Sequence, residues 1–157
     1  MLSRAYFVKE QQMKRLVLLL MTLSVCGASG VWAADAIAQR RALMHDDGIA
    51  AKKLFDMSKG TIPFDLAVVQ ASLKTLANGA EKTPALFPDD SKTGGGTAAL
   101  PAIWQNKPDF NARFTKFSND VAEAIAKTKD EASFKAVAPK VFENCGGCHE
   151  LYKAKSS

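Results

Sequence analysis

Cysteine and histidine are both scarce in this chain. The 157 residues hold three Cys, at 26, 145 and 148, and two His, at 45 and 149. A structural zinc site needs four ligands, and His45 is the only one spare beyond a C-terminal cluster. Strand-like patterning is missing as well. No segment alternates polar and apolar residues with period two, and β-branched runs are few. That removes the βαβ setting in which a thioredoxin-like dithiol would sit. No basic stripe carries interleaved aromatics, so nucleic acid is not an expected partner. Beyond the N-terminal segment no apolar run is long enough to cross a membrane, and no internal repeat is visible.

The N-terminal segment has a defined order. Arg4, Lys9, Lys14 and Arg15 face one acid, Glu10; a short apolar run follows, Leu16 to Val25; then come small residues up to Ala33. This is the pattern of a cleavable export signal over residues 1–33, with the cut after Ala33. Met1 and Met13 both serve as starts for it. The alternative is a lipoprotein signal that keeps Cys26, but bulky Val25 stands where a small residue belongs. Removing residues 1–33 leaves 124 residues, 34–157, with 17 basic and 15 acidic side chains. That is one domain, near +2, with enough chain for a modest core.

Within 34–157 the apolar spacing is helical. Ile37, Met44 and Ala51, with Gly48 and Phe55, form a stripe over about 35–58, and Gly60 and Pro63 close it. Leu66, Val69, Leu73 and Leu76 mark a second helix over about 64–77, ended by Asn78-Gly79. Residues 79–106, punctuated by Pro84, Pro88, Pro101 and a Gly94-Gly95-Gly96 cluster, are expected to be irregular. Phe110, Phe114, Phe117, Val121 and Ile125 mark a third helix over about 108–128. A fourth begins near Asp130, which can cap it. It carries Phe134, Val137, Val141, Cys145, Cys148 and Tyr152 on one side, with Pro139 expected to kink or split it. The fold class is all-α, an antiparallel four-helix bundle.

The chemistry lies in Cys145-Gly146-Gly147-Cys148-His149. C-x-x-C-H is the haem-attachment spacing. Two thiols add to the two vinyl groups of one porphyrin edge. The next residue, a His, then lies under the ring, where an imidazole nitrogen can bind iron. Gly146 and Gly147 put no side chain between thiols and porphyrin. A plain disulfide across so small a loop would stabilise little. Export agrees with haem c, one group held covalently.

This motif, eight residues from the end of the chain, makes a resemblance specific. Arg40-Arg41-Ala42-Leu43-Met44, Lys59-Gly60 with Pro63-Phe64-Asp65, Leu86-Phe87-Pro88, Pro101-Ala102-Ile103-Trp104 and Cys145 to His149 with Tyr152-Lys153 carry it. Over about 37–155 the chain resembles the class II c-type cytochromes, the family of cytochrome c-prime and its low-spin relatives. The resemblance implies a mono-haem protein of the periplasm, working with redox partner proteins and often paired as a homodimer. It makes His149 the proximal ligand. It sets Met44 at the place where low-spin members carry a distal Met ligand and cytochrome c-prime carries an apolar residue that leaves iron five-coordinate for nitric oxide or carbon monoxide. Otherwise Met44 is ordinary core, since Met fills gaps well. Met57 is expected to be core. His45 is turned about 100° from Met44 and, between charged neighbours Asp46 and Asp47, should face water. Arg40, by resemblance, pairs with a haem propionate or else lies solvated on the helix. The expected function is electron transfer, with gas binding as the alternative. No distal acid–base pair is evident, so no enzymatic activity is expected.

Overall fold

The computed structural model describes residues 28–155, with side chains from residue 32 onward. The described residues belong mainly to one compact unit, which begins at Ala33. The expected export signal lies mostly outside the described residues. This unit is built from α1 (Ala28–Ser58) from Ala33 onward, α2 (Leu66–Lys82), the one-turn α3 (Ala102–Gln105), α4 (Lys107–Lys127) and α5 (Glu131–Tyr152). Four long helices form the expected antiparallel bundle. Cross-helix contacts fix the directions. Gln70, early in α2, donates to the carbonyls of Ile125 and Thr128 at the end of α4. Asp120 and Glu123 of α4 meet Asn144 and Lys140 of α5.

Local chemistry explains each terminus. α1 stops at a Schellman motif: Thr61 N–H donates to Asp56 O at 2.9 Å and Gly60 N–H to Met57 O at 3.1 Å. Gly60 sits at φ +71°, a conformation that a Cβ would disfavour. Asp65 caps α2 by accepting from Val68 N–H at 3.0 Å. Asn106 caps α4, and Asp130 with Ser133 forms a reciprocal capping box on α5.

Three sequence expectations differ from the structure. α2 does not end at Asn78-Gly79 but runs on to Lys82, with Gly79 buried inside it. The reason is packing: a Cβ on Gly79 would overlap the carboxylate of Asp47 on α1. Residues 79–106 are more regular than expected, holding the last turn of α2, two 3-10 turns, Thr83–Leu86 and Asp89–Ser91, and α3. Pro139 does not split α5, which is continuous from Glu131 to Tyr152. Pro139 is exposed, so the Lys135 carbonyl that loses its helical donor can turn to water.

The core joins all four long helices through Leu54, Val69, Leu73, Leu76, Val121, Phe134 and Val141, each at most 1 % exposed. Each such side chain contributes roughly 1.5–3 kcal/mol by leaving water. Met57 is buried among them, as expected. Aromatics gather at one end of the bundle, where Phe110 stacks edge-on with Phe87, Phe114 and Tyr152 at 4.8, 5.1 and 5.3 Å. The middle connection folds back onto this end. Leu100 N–H donates to Tyr152 O at 2.9 Å and Ala154 N–H to Ala98 O at 2.8 Å, so the loop pairs with the chain just past the C-x-x-C-H motif.

Candidate haem site

A cavity of about 560 Å³ opens at the aromatic end of the bundle, within the range of cofactor pockets. α1 contributes Arg40, Met44 and Asp47; α4 contributes Phe110, Arg113 and Phe114; α5 contributes Cys145, Cys148 and His149; the middle connection covers one side through Phe87 and residues 96–99. The structure thus brings together Met44, Cys145, Cys148 and His149 from opposite ends of the sequence.

The donor set fits a haem. Cys145 and Cys148 are half-buried and not bonded to each other. Burial raises both thiols above their ordinary range; the Asp47 charge adds to this at Cys145, while the Arg113 charge opposes it at Cys148. Both are therefore neutral thiols near pH 7. His149 is exposed along the cavity, and partial desolvation, then the Lys153 charge, lowers its pKa. Its imidazole is accordingly neutral, with a lone pair for a metal. Met44, a half-buried thioether, lines the same cavity as His149. No atom comes within 4 Å of where a Cβ would stand on Gly48 or Gly146, so both positions border open space.

Two residues of the cavity were not expected from sequence. Arg113 of α4 is half-buried and donates from Nη1 to the Gly147 carbonyl inside the motif at 3.1 Å. Its Nε donates to Asp109 at 2.7 Å, and Asp109 also accepts from the Tyr152 hydroxyl at 2.5 Å. This network ties the motif to α4. Asp47 entered the sequence reading only as a charged neighbour of His45. It is 9 % exposed, with Oδ2 buried and without a hydrogen-bond partner among the described residues. Burial, then the neighbouring Asp46 charge, pushes its carboxyl up to about 7. Its spacing from Met44, three residues on a helix, was the available signal, since such residues share a face. His45 does face water, its side chain 73 % exposed and its Nδ1 3.6 Å from Asp46.

Arg40 lines the cavity but is 3 % exposed and committed to the middle connection. Nη1 donates to Leu86 O and Ser91 Oγ, and Nη2 to Ser91 O and Thr97 Oγ1, at 2.7–2.9 Å. Its guanidinium also lies 4.5 Å from the centre of the Phe87 ring. That leaves Nε as the donor without a partner among the described residues.

A family model described as Cytochrome C' matches residues 35–153. The chain belongs to the cytochrome c' family. Its cofactor is covalently bound haem c. Over 123 residues it is 49 % identical to "Cytochrome c'" of Rhodopseudomonas palustris, covering 78 % of this chain and 84 % of that one. Over 129 residues it is 36 % identical to "Cytochrome c-556" of Agrobacterium fabrum, covering 82 % and 87 %. The solved structure of cytochrome c' from Rhodopseudomonas palustris superposes with a TM-score of 0.75, over 78 % of this chain and 98 % of that one. These similarities establish a haem-bearing four-helix bundle. Among the described residues no helix is long and apolar enough to cross a membrane.

Proposed function

We propose that this chain is an exported mono-haem cytochrome that carries single electrons, its haem bound through Cys145 and Cys148 with His149 and Met44 on opposite faces of the iron. The observation that supports this reading is Met44. It is a half-buried thioether on the wall of the cavity that His149 also lines. Haem supplies the one-electron couple. The protein's residues do the rest. Cys145 and Cys148 fix the ring edge, and Arg113 steadies the backbone between them through Gly147 O. A soft thioether favours the ferrous state and raises the potential. Six-coordination in both redox states keeps rearrangement small. Arg40, through Nε, is the proposed contact for a propionate. Residues 1–33 are the proposed signal, the periplasm the location and redox proteins the partners; a second copy of the chain is a further proposed partner.

The second reading is a five-coordinate gas binder in which Met44 only covers the distal side. The comparisons favour it over the first, because the 49 % identical relative is named cytochrome c' while the cytochrome c-556 relative is less similar. Optical spectra of the reduced holoprotein with and without carbon monoxide decide between them. Sharp low-spin bands unmoved by the gas, with Met44→Ala converting the protein to a carbon monoxide binder, are expected for the carrier. A broad high-spin spectrum in the parent that sharpens on adding the gas would refute ligation by Met44.

A further inference from the structure

One group in the cavity has no part in haem attachment or ligation. Asp47 is a carboxyl more than nine-tenths buried, with Oδ2 lacking any hydrogen-bond partner. An isolated carboxylate removed from water is costly, and proteins relieve that cost by protonating it. The fold nevertheless makes room for it. Gly79, buried in α2, has only hydrogen where any other residue's Cβ would overlap the Asp47 carboxylate. On the opposite side Asp47 faces Cys145 closely enough for their charges to interact. Asp47 therefore stands at the cavity wall between the α2 packing surface and the thiol that holds the haem edge.

The groups around it do not neutralise it. On α1 its neighbour Asp46 adds a like charge. From α2 comes Gly79; Thr83, just past that helix, lines the same cavity with a buried hydroxyl that has no partner among the described residues. From α5 come Cys145 and Asn144, and Asn144 is bonded to Asp120. The Lys and Arg side chains that line the cavity have partners elsewhere: Arg40 with residues 86–97, Arg41 with Gly95 O, Arg113 with Asp109 and Lys153 with the Ala154 carbonyl. No ion pair reaches Asp47 among the described residues.

We infer that Asp47 is a proton-loading site that couples proton uptake to electron uptake in this cytochrome. When a one-electron donor reduces the haem, the cavity gains one negative charge, and Asp47 carboxylates take up protons from solvent, at most about half a proton per electron for a tenfold shift. Oxidation returns the electron to an acceptor and the protons to water. The inference rests on haem occupying this cavity but not on whether Met44 binds iron.

Linkage fixes the sign and size. An ionised Asp47 stabilises the oxidised state, so the midpoint potential falls as pH rises. Charges on the order of 10 Å apart in an effective dielectric of about 20 shift each other's equilibria roughly tenfold. For a one-electron couple that is about 59 mV between the acid and alkaline plateaus. The fall should be centred near neutral pH, where burial has moved the carboxyl.

The test is a spectroscopic redox titration of the holoprotein from about pH 5 to 9 on the parent, Asp47→Asn and His45→Gln. The parent and His45→Gln should show the fall, while Asp47→Asn should stay flat at the high, acid-side value. An infrared difference spectrum of the parent, reduced minus oxidised near pH 7, should gain the carbonyl band of a protonated carboxylic acid. This second readout stands even if Asp47→Asn does not fold. A haem-loaded parent with a flat potential, or an Asp47→Asn variant with an unchanged slope, or a difference spectrum without that band overturns the inference alone. A purified chain whose mass and spectrum lack haem would overturn the site reading itself.

Discussion

Replacing Arg40 by Met should release the middle connection from the bundle. Four hydrogen bonds from one buried guanidinium hold Leu86, Ser91 and Thr97 against α1. Hydrogen bonds to a charged group contribute about 1.5–3 kcal/mol each, but they are not additive within one cluster. Two features reduce the loss. The Ser91 hydroxyl keeps its own bond to Pro88 O at 2.9 Å, and a Met side chain retains part of the packing on Phe87. What remains is chiefly two carbonyls, Leu86 and Ser91, left without this donor. The expected cost is about 3–5 kcal/mol, a large share of the roughly 5–15 kcal/mol by which a domain of this size is stable. With a urea slope of about 1.5–2 kcal/mol/M, the midpoint of holoprotein unfolding should fall by about 2 M. Circular dichroism follows the helices, and limited proteolysis should report new cleavage within residues 84–101. A loss under about 1 kcal/mol with unchanged cleavage would refute the assignment of Arg40 as the anchor of this loop. A potential that shifts with little loss of stability would point instead to the propionate.

Packing and titration each give a further prediction. Gly79→Ala should destabilise by about 1–2 kcal/mol, because overlap with the Asp47 carboxylate outweighs the better helix propensity of Ala. Combining it with Asp47→Ala should cost less than the two changes added, and strict additivity in a thermal-unfolding cycle would contradict the contact. Asp120 is 5 % exposed; burial alone would raise its carboxyl, but hydrogen bonds from Lys116, Asn144 and Lys140 hold it at about 2. A depressed carboxylate adds stability above its unfolded pKa, near 4, and loses it as pH falls toward 2. Asp120→Asn should therefore flatten that part of the acid limb in melting temperatures from pH 6 to 2, and an unchanged slope would show that this carboxylate is not the group lost.

Much of this was legible in residue order. Helical spacing showed four long helices because a 3.6-residue period leaves a direct trace in the sequence, and Gly60 and Asp130 mark ends through local bonds to their own neighbours. The haem motif was legible for the same reason, since all five of its residues are contiguous. Met44 could be related to the motif only through resemblance. A hundred residues separate it from Cys145, and nothing local connects them.

The tertiary structure decided the residues whose behaviour depends on another helix. Gly79 looked like a stop signal, because a Gly after an apolar run usually is one. Only the approach of Asp47 from α1 shows why it lies mid-helix. Asp47 looked like no more than a charged neighbour of His45, Arg40 looked like a surface or propionate charge, and Arg113 did not stand out. Burial and partners across the bundle gave each its role. Sequence fixes a local conformation because its interactions span a few residues. The ionisation of a carboxyl or the anchoring of a loop is set by how much water neighbouring elements remove and which donors they bring, and those elements meet only when the chain has folded.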